Sequence, residues 1–111
     1  MRPARILKLI LVAALAVALT AAVAVAATKK VGVKKAGDEF HFSPSSLTVK
    51  KGTTVKWSWK GKIPHNVTGK GFHSKTAAKV TYKHKFKKAG SYRVVCTIHQ
   101  SAGQVMTIKV R

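Results

Sequence analysis

The alternation of hydrophobic and polar positions changes its rhythm once along this chain. From Leu9 to Ala27 no charge interrupts a run rich in Leu, Val and Ala, whereas beyond Gly37 apolar residues recur at every second position. A period of two is the mark of a strand with one buried face. Phe40 and Phe42 alternate until Pro44, Leu47 and Val49 until Gly52, and Val55, Trp57 and Trp59 until Gly61 and Pro64. Lys79 to Phe86 sets Val80, Tyr82, His84 and Phe86 on one face against Thr81, Lys83 and Lys85 on the other. After an Ala89-Gly90 turn, Ser91 to Cys96 groups Tyr92, Val94 and Cys96, and a last strand runs from Val105 to Val110. Thr28 to Gly37, basic and glycine-containing, reads as a tether or a weak first strand. Short strands at this spacing, with turn residues between them and no helical stripe, predict an all-β sandwich. Alternation assigns Phe40, Phe42, Tyr82, Phe86 and Tyr92 to its core, with Trp57 and Trp59 most simply core aromatics and a place near a functional site as the alternative for one of them.

The uncharged run has a different meaning. Arg2, Arg5 and Lys8 precede it and Ala24-Val25-Ala26 closes it. A basic start, an apolar middle and a small-x-small ending are the grammar of an export signal. The expected division is therefore a signal peptide over 1–26, a basic segment over 27–37 and a folded domain over 38–111. A retained anchor is the competing reading, since 19 residues nearly span a hydrocarbon core of about 30 Å. The Ala-rich composition and the A-x-A ending favour cleavage. The domain is then exported, to the periplasm, the cell surface or the medium, with no transmembrane span after processing.

Charge narrows the chemistry. The chain carries 22 Lys plus Arg and only two acids, for a net charge of +20. Those acids, Asp38 and Glu39, are neighbours and point to opposite faces of any strand. Paired-carboxylate hydrolysis and oxygen-rich Ca²⁺ or Mg²⁺ sites are excluded. So positive a surface steers the protein toward an acidic redox protein or an anionic envelope surface. Nucleic acid is the rival that charge alone suggests, and export argues against it. Cysteine use adds a second constraint. With Cys96 alone, no intramolecular disulfide is possible, and a lone thiol in an oxidising compartment calls for something to bind it.

Cys96-Thr97-Ile98-His99 offers a thiolate and an imidazole that one tight loop can bring to one ion, with His65 as the best distant third donor. The second Cys-x-x-Cys or His-x-x-x-His pair of a structural zinc site is missing. One thiolate with two imidazoles matches the trigonal arrangement of blue copper, completed by a weak axial group. The competing reading, an inert buried Cys with two surface histidines, weighs about the same on the residues alone. His41, His73 and His84 have no Cys or His at ligand spacing and read as surface or half-buried histidines.

Here the sequence resembles the cupredoxins, in particular the small plastocyanin-like blue copper proteins. The resemblance runs through F-H-F-S-P-S-S-L-T-V-K-K-G-T-T-V-K-W-S-W at 40 to 59, P-H-N-V at 64 to 67, and A-G-S-Y-R-V-V-C-T-I-H-Q-S-A-G-Q-V-M-T-I-K-V at 89 to 110. It implies a Greek-key β-sandwich holding one copper ion, with His65, Cys96 and His99 as ligands. The family pattern Cys-x₂-His-x₄-Met is broken, because Gln104 follows Gly103 and Met106 comes two positions late. The resemblance therefore implies Gln104 as the axial ligand, with Met106 as the alternative. Asn66 resembles the family Asn that braces the Cys loop. The implied function is one-electron transport by a monomer without enzymatic activity, through a His99 ring edge that reaches the surface near Ala102 and Pro64. Copper buffering without a dedicated electron partner, or a cupredoxin-fold binding module, are the alternatives.

Overall fold

The computed structural model describes residues 27–111; the expected export signal lies outside them. Nine strands follow one another: β1 Thr28–Ala36, β2 Glu39–Ser43, β3 Ser46–Val49, β4 Thr54–His65, β5 Thr68–Gly69, β6 Phe72–His73, β7 Ala77–Lys85, β8 Gly90–Val95 and β9 Val105–Val110, with one 3₁₀ turn at Gln100–Ala102 before β9. One sheet has the order β2-β1-β4-β7 and the other β3-β9-β8-β5-β6. Both are mixed, since β1 runs parallel to β4 and β3 parallel to β9. The all-β sandwich read from the alternation is therefore the fold that forms. Among the described residues no helix is long and apolar enough to cross a membrane.

The core follows the period of two. In β4, Val55, Trp57 and Trp59 are buried while Ser58 and Lys60 are exposed; in β9, Met106, Ile108 and Val110 are buried while Thr107 and Lys109 are exposed. Phe42, Phe86 and Val94 complete the interior. At about 25 cal/mol per Å² over the roughly 150–250 Å² that an aromatic buries, each such ring contributes about 4–6 kcal/mol before entropy is counted. Trp57, with no exposure at all, is thus the heaviest anchor of the interior.

Three features depart from the alternation. The stretch read as a tether or a weak first strand is β1, an interior strand between β2 and β4, with Val31 buried opposite Trp57. Gly61 and Pro64 do not end β4. Its pairing with β7 shifts register between Lys60 and His65 and resumes with His65 opposite Ala77, so a bulge absorbs both residues and carries the strand on to His65. Phe40 is not a core residue. It is half-buried at the end of the sandwich, against two histidines, whereas Phe42 and Phe86 are fully inside and Tyr82 and Tyr92 pack at the core's margin.

Strand direction defines two poles. β4 finishes at His65 and β9 starts beside Gln104, so both residues lie at one end. At the other end, Gly52 N–H donates to the Phe86 carbonyl at 2.7 Å and Lys51 N–H to that of Arg111 at 2.9 Å.

Candidate metal centre

Local geometry brings the Cys96–Gln104 loop into shape first. His99 N–H donates to the Cys96 carbonyl (3.2 Å), Gln104 N–H to the His99 carbonyl (3.1 Å), and Cys96 N–H to the Gln104 carbonyl (3.0 Å). Gly103 has φ +94°, a left-handed value that favours glycine, and a Cβ there would lie 3.1 Å from His41 Cε1. The loop therefore closes on itself and needs glycine at Gly103 for both backbone and space. β4 then delivers His65 from the opposite sheet.

His65, Cys96 and His99 place one donor atom each within 4.8 Å of one another. Cys96 Sγ lies 3.5 Å from His99 Nδ1, and Gln104 Oε1 lies 2.9 Å from His65 Nδ1. Cys96 and Gln104 are wholly buried and His65 nearly so, while His99 is half-buried. Burial holds His65 below the ordinary histidine range; the Gln104 hydrogen bond opposes this and the His99 charge adds to it. Neutral imidazole, the form that binds metals, is thereby favoured.

The donor set fits copper. The cluster holds one buried thiol and two ring nitrogens, with no carboxylate among them and an amide oxygen against one of the rings, a chemistry that suits blue copper rather than structural zinc. The Gln104 oxygen and the His65 nitrogen face each other across 2.9 Å, a pair that either a shared proton or a cation satisfies. Gln104 Nε2 is buried without a partner among the described residues. Hydrogen bonding alone therefore does not account for a buried amide at this point. Met106 is engaged in the interior instead, where its Sδ accepts the Trp57 indole N–H at 3.3 Å.

Asn66 ties the two sheets together behind these donors. Its backbone N–H points at Cys96 Sγ (3.5 Å), its side-chain Nδ2 donates to Thr97 Oγ1 (2.7 Å) and Thr76 Oγ1 (3.0 Å), and its Oδ1 accepts from Thr97 N (3.1 Å) and Thr68 Oγ1 (2.9 Å). Each polar atom of this buried amide is satisfied, which makes the segment from Asn66 to Thr97 rigid.

Phe40 and Ile98 carried no sequence signal for their role at the site, and of the two core tryptophans it is Trp59 that lies beside it. The Phe40 ring packs on both imidazoles, with centroids 4.4 Å from His99 and 5.2 Å from His65. Trp59 meets His65 edge-on at 6.1 Å. Ile98 is 48% exposed beside His99, the one large hydrophobic residue in the open among those described. The remaining histidines do not join the cluster: His84 stacks on Phe72 at 4.2 Å, His41 lies 3.5 Å from Glu39 with its ring against Gly103 of the loop, and His73 is exposed.

Comparison with known proteins agrees with this geometry. A model of the cupredoxin-like domain family matches residues 8–108. The plastocyanin of Scenedesmus fuscus is 33% identical over 84 residues, covering 63% of this chain and 86% of that protein. Among solved structures, a purple cupredoxin from Nitrosopumilus maritimus superposes with a TM-score of 0.65 at 22% identity, over 75% of this chain and 99% of that one, a likeness of fold. A methionine-to-glutamine mutant of amicyanin with Cu(I) superposes with a TM-score of 0.63 at 27% identity, over 76% of this chain and 82% of that one.

Proposed function

Because the chain belongs to the cupredoxin-like domain family, we propose that it is a type 1 copper protein that carries single electrons between redox partners outside the cytoplasm, after removal of residues 1–26 as an export signal. The observation that carries this reading is the convergence of His65, Cys96 and His99 within 4.8 Å. These three hold the ion in our reading, with Gln104 as the weak fourth donor. Bound copper supplies a one-electron couple between Cu(I) and Cu(II).

The chain's own residues do the rest. Cys96 binds as thiolate. The Asn66 network holds the Cys96 loop against β4, so the donors move little between oxidation states. Phe40 and Trp59 keep water from the buried side of the imidazoles. His99, half-buried, provides the way out, and Ile98, Ala102 and Pro64 form an apolar rim on which a partner can sit without displacing charge. The positive surface speeds encounter with an acidic redox protein, and this advantage shrinks as salt rises.

The test is the visible and EPR spectrum of the copper-loaded protein. Stoichiometric Cu(II) with an intense thiolate-to-copper charge-transfer band, absent in Cys96→Ala, is the expected result. A colourless protein that holds Cu(I) without cycling would indicate copper buffering instead.

A further inference from the structure

The pole opposite the metal centre gathers cations. A cleft of about 670 Å³ is lined there by Lys29, Lys50, Lys51, Lys85 and Arg111. They come from β1, the turn before β4, the end of β7 and the residue after β9, and all five are exposed. The two side-chain carboxylates of the chain do not neutralise them. Asp38 and Glu39 lie past the far end of β1, and β1 runs parallel to β4 toward the His65 end.

Distance separates this cleft from the electron-transfer surface. β4 begins beside the cleft and ends at His65, and at about 3.3 Å per residue its length is roughly 30 Å once the bulge is allowed for. Charges are screened within about 8–10 Å at physiological salt. The cleft therefore does not steer a partner onto His99, and its gathered cations call for a ligand of their own.

The chain indicates which ligand. Ala27 lines the same cleft, and the residues immediately before it are the uncharged Leu, Val and Ala run that reads as membrane-directed. That run delivers the chain to a membrane, and once residues 1–26 are removed Ala27 becomes the N-terminus, so its ammonium group joins the cations that converge in the cleft. We propose that this cleft seats the domain on an anionic phospholipid surface, with the Lys and Arg side chains on the phosphates and the metal centre held outward, toward soluble partners. This docking does not depend on copper, so it stands or falls separately from the electron-carrier reading.

Sedimentation of the processed protein, residues 27–111, which contain every strand of the fold, with phosphatidylcholine vesicles, and with vesicles of equal parts phosphatidylcholine and phosphatidylglycerol, tests the proposal. Lys50→Gln/Lys51→Gln is compared with Lys60→Gln/Lys62→Gln, which removes equal charge at the metal-centre pole. The expected result is binding that favours the anionic vesicles. At about fivefold per lysine near an anionic bilayer, the Lys50/Lys51 pair should weaken it roughly 25-fold, with near wild-type binding for the Lys60/Lys62 pair. Lys85→Gln/Arg111→Gln, from different elements, should reproduce the loss, and copper-free protein should behave like copper-loaded protein. Equal losses for all three pairs, no preference for anionic vesicles, or release from the vesicles by duplex DNA at equal phosphate concentration would each overturn it.

Discussion

The Trp57 indole N–H donates to the Met106 sulfur across 3.3 Å, with the two side chains 0% and 1% exposed. A sulfur held in this way faces the interior, while the Gln104 amide oxygen meets the His65 imidazole. This relationship supports Gln104 over Met106 as the fourth donor in the proposed site, and it leads to the first prediction.

Met106→Leu conserves volume but leaves the Trp57 N–H unpaired in a dry interior. Stability should fall by about 1–3 kcal/mol, read as a lower denaturation midpoint, while the visible spectrum of the copper-loaded protein stays unchanged. A shifted spectrum would return Met106 to the ligand set.

Gln104→Met replaces a hard amide oxygen by a soft thioether, which favours Cu(I). Voltammetry should show a higher reduction potential than wild type. The metal-free protein should lose up to about 1–3 kcal/mol, because the Gln104–His65 hydrogen bond disappears, an effect that removal of the unpartnered Nε2 partly offsets. An unmoved potential would take the amide out of the axial position.

Asn66→Ala deletes the side chain that joins Thr68, Thr76 and Thr97. Leaving those groups unpaired should cost about 1–3 kcal/mol. The loss of rigidity should also broaden the EPR lines of the Cu(II) form, which a purely structural effect remote from the site would leave sharp.

The stability of the fold should depend on pH through His84. Burial against Phe72 and Phe86 holds its pKa below the ordinary 6.5. The unfolded chain then takes up the proton at a higher pH than the folded one does. The contribution is full above about 6.5 and is lost as pH falls through that value and below it. Denaturant unfolding at a series of pH values should show this loss in wild type and a smaller one in His84→Gln. Parallel curves for the two proteins would refute it.

Gly69→Ala tests the packing beneath the small strands β5 and β6. A Cβ at Gly69 would run into the Phe72 ring, which stands between Trp57, His84 and Phe86. Overpacking of this kind should lower stability by about 1–3 kcal/mol, measured by thermal unfolding.

Much of this protein is written in local pattern. The period of two along Val55, Trp57 and Trp59, and along Met106, Ile108 and Val110, depends only on each strand having one buried face, so the strands and the sandwich follow from the sequence. The Cys96–His99 spacing is likewise local, because a single turn closed by the His99-to-Cys96 hydrogen bond brings the two side chains together. Tertiary structure decided what depends on pairing between distant segments. β1 becomes an interior strand only because β4 supplies a parallel partner, and β5 and β6, two residues each, are too short to show a period. Phe40 and Phe42 share one alternation, yet one covers the imidazoles and the other fills the core, because β2 reaches the end of the sandwich between them. Gln104 and Met106 also point to the same side of their strand by period. What separates them is a loop closure at Gln104 and an indole waiting in the opposite sheet at Met106. The sequence by itself determined the strands and the chemical types of the donors; the packing of two sheets, which joins residues far apart in the chain, decided which of them meet.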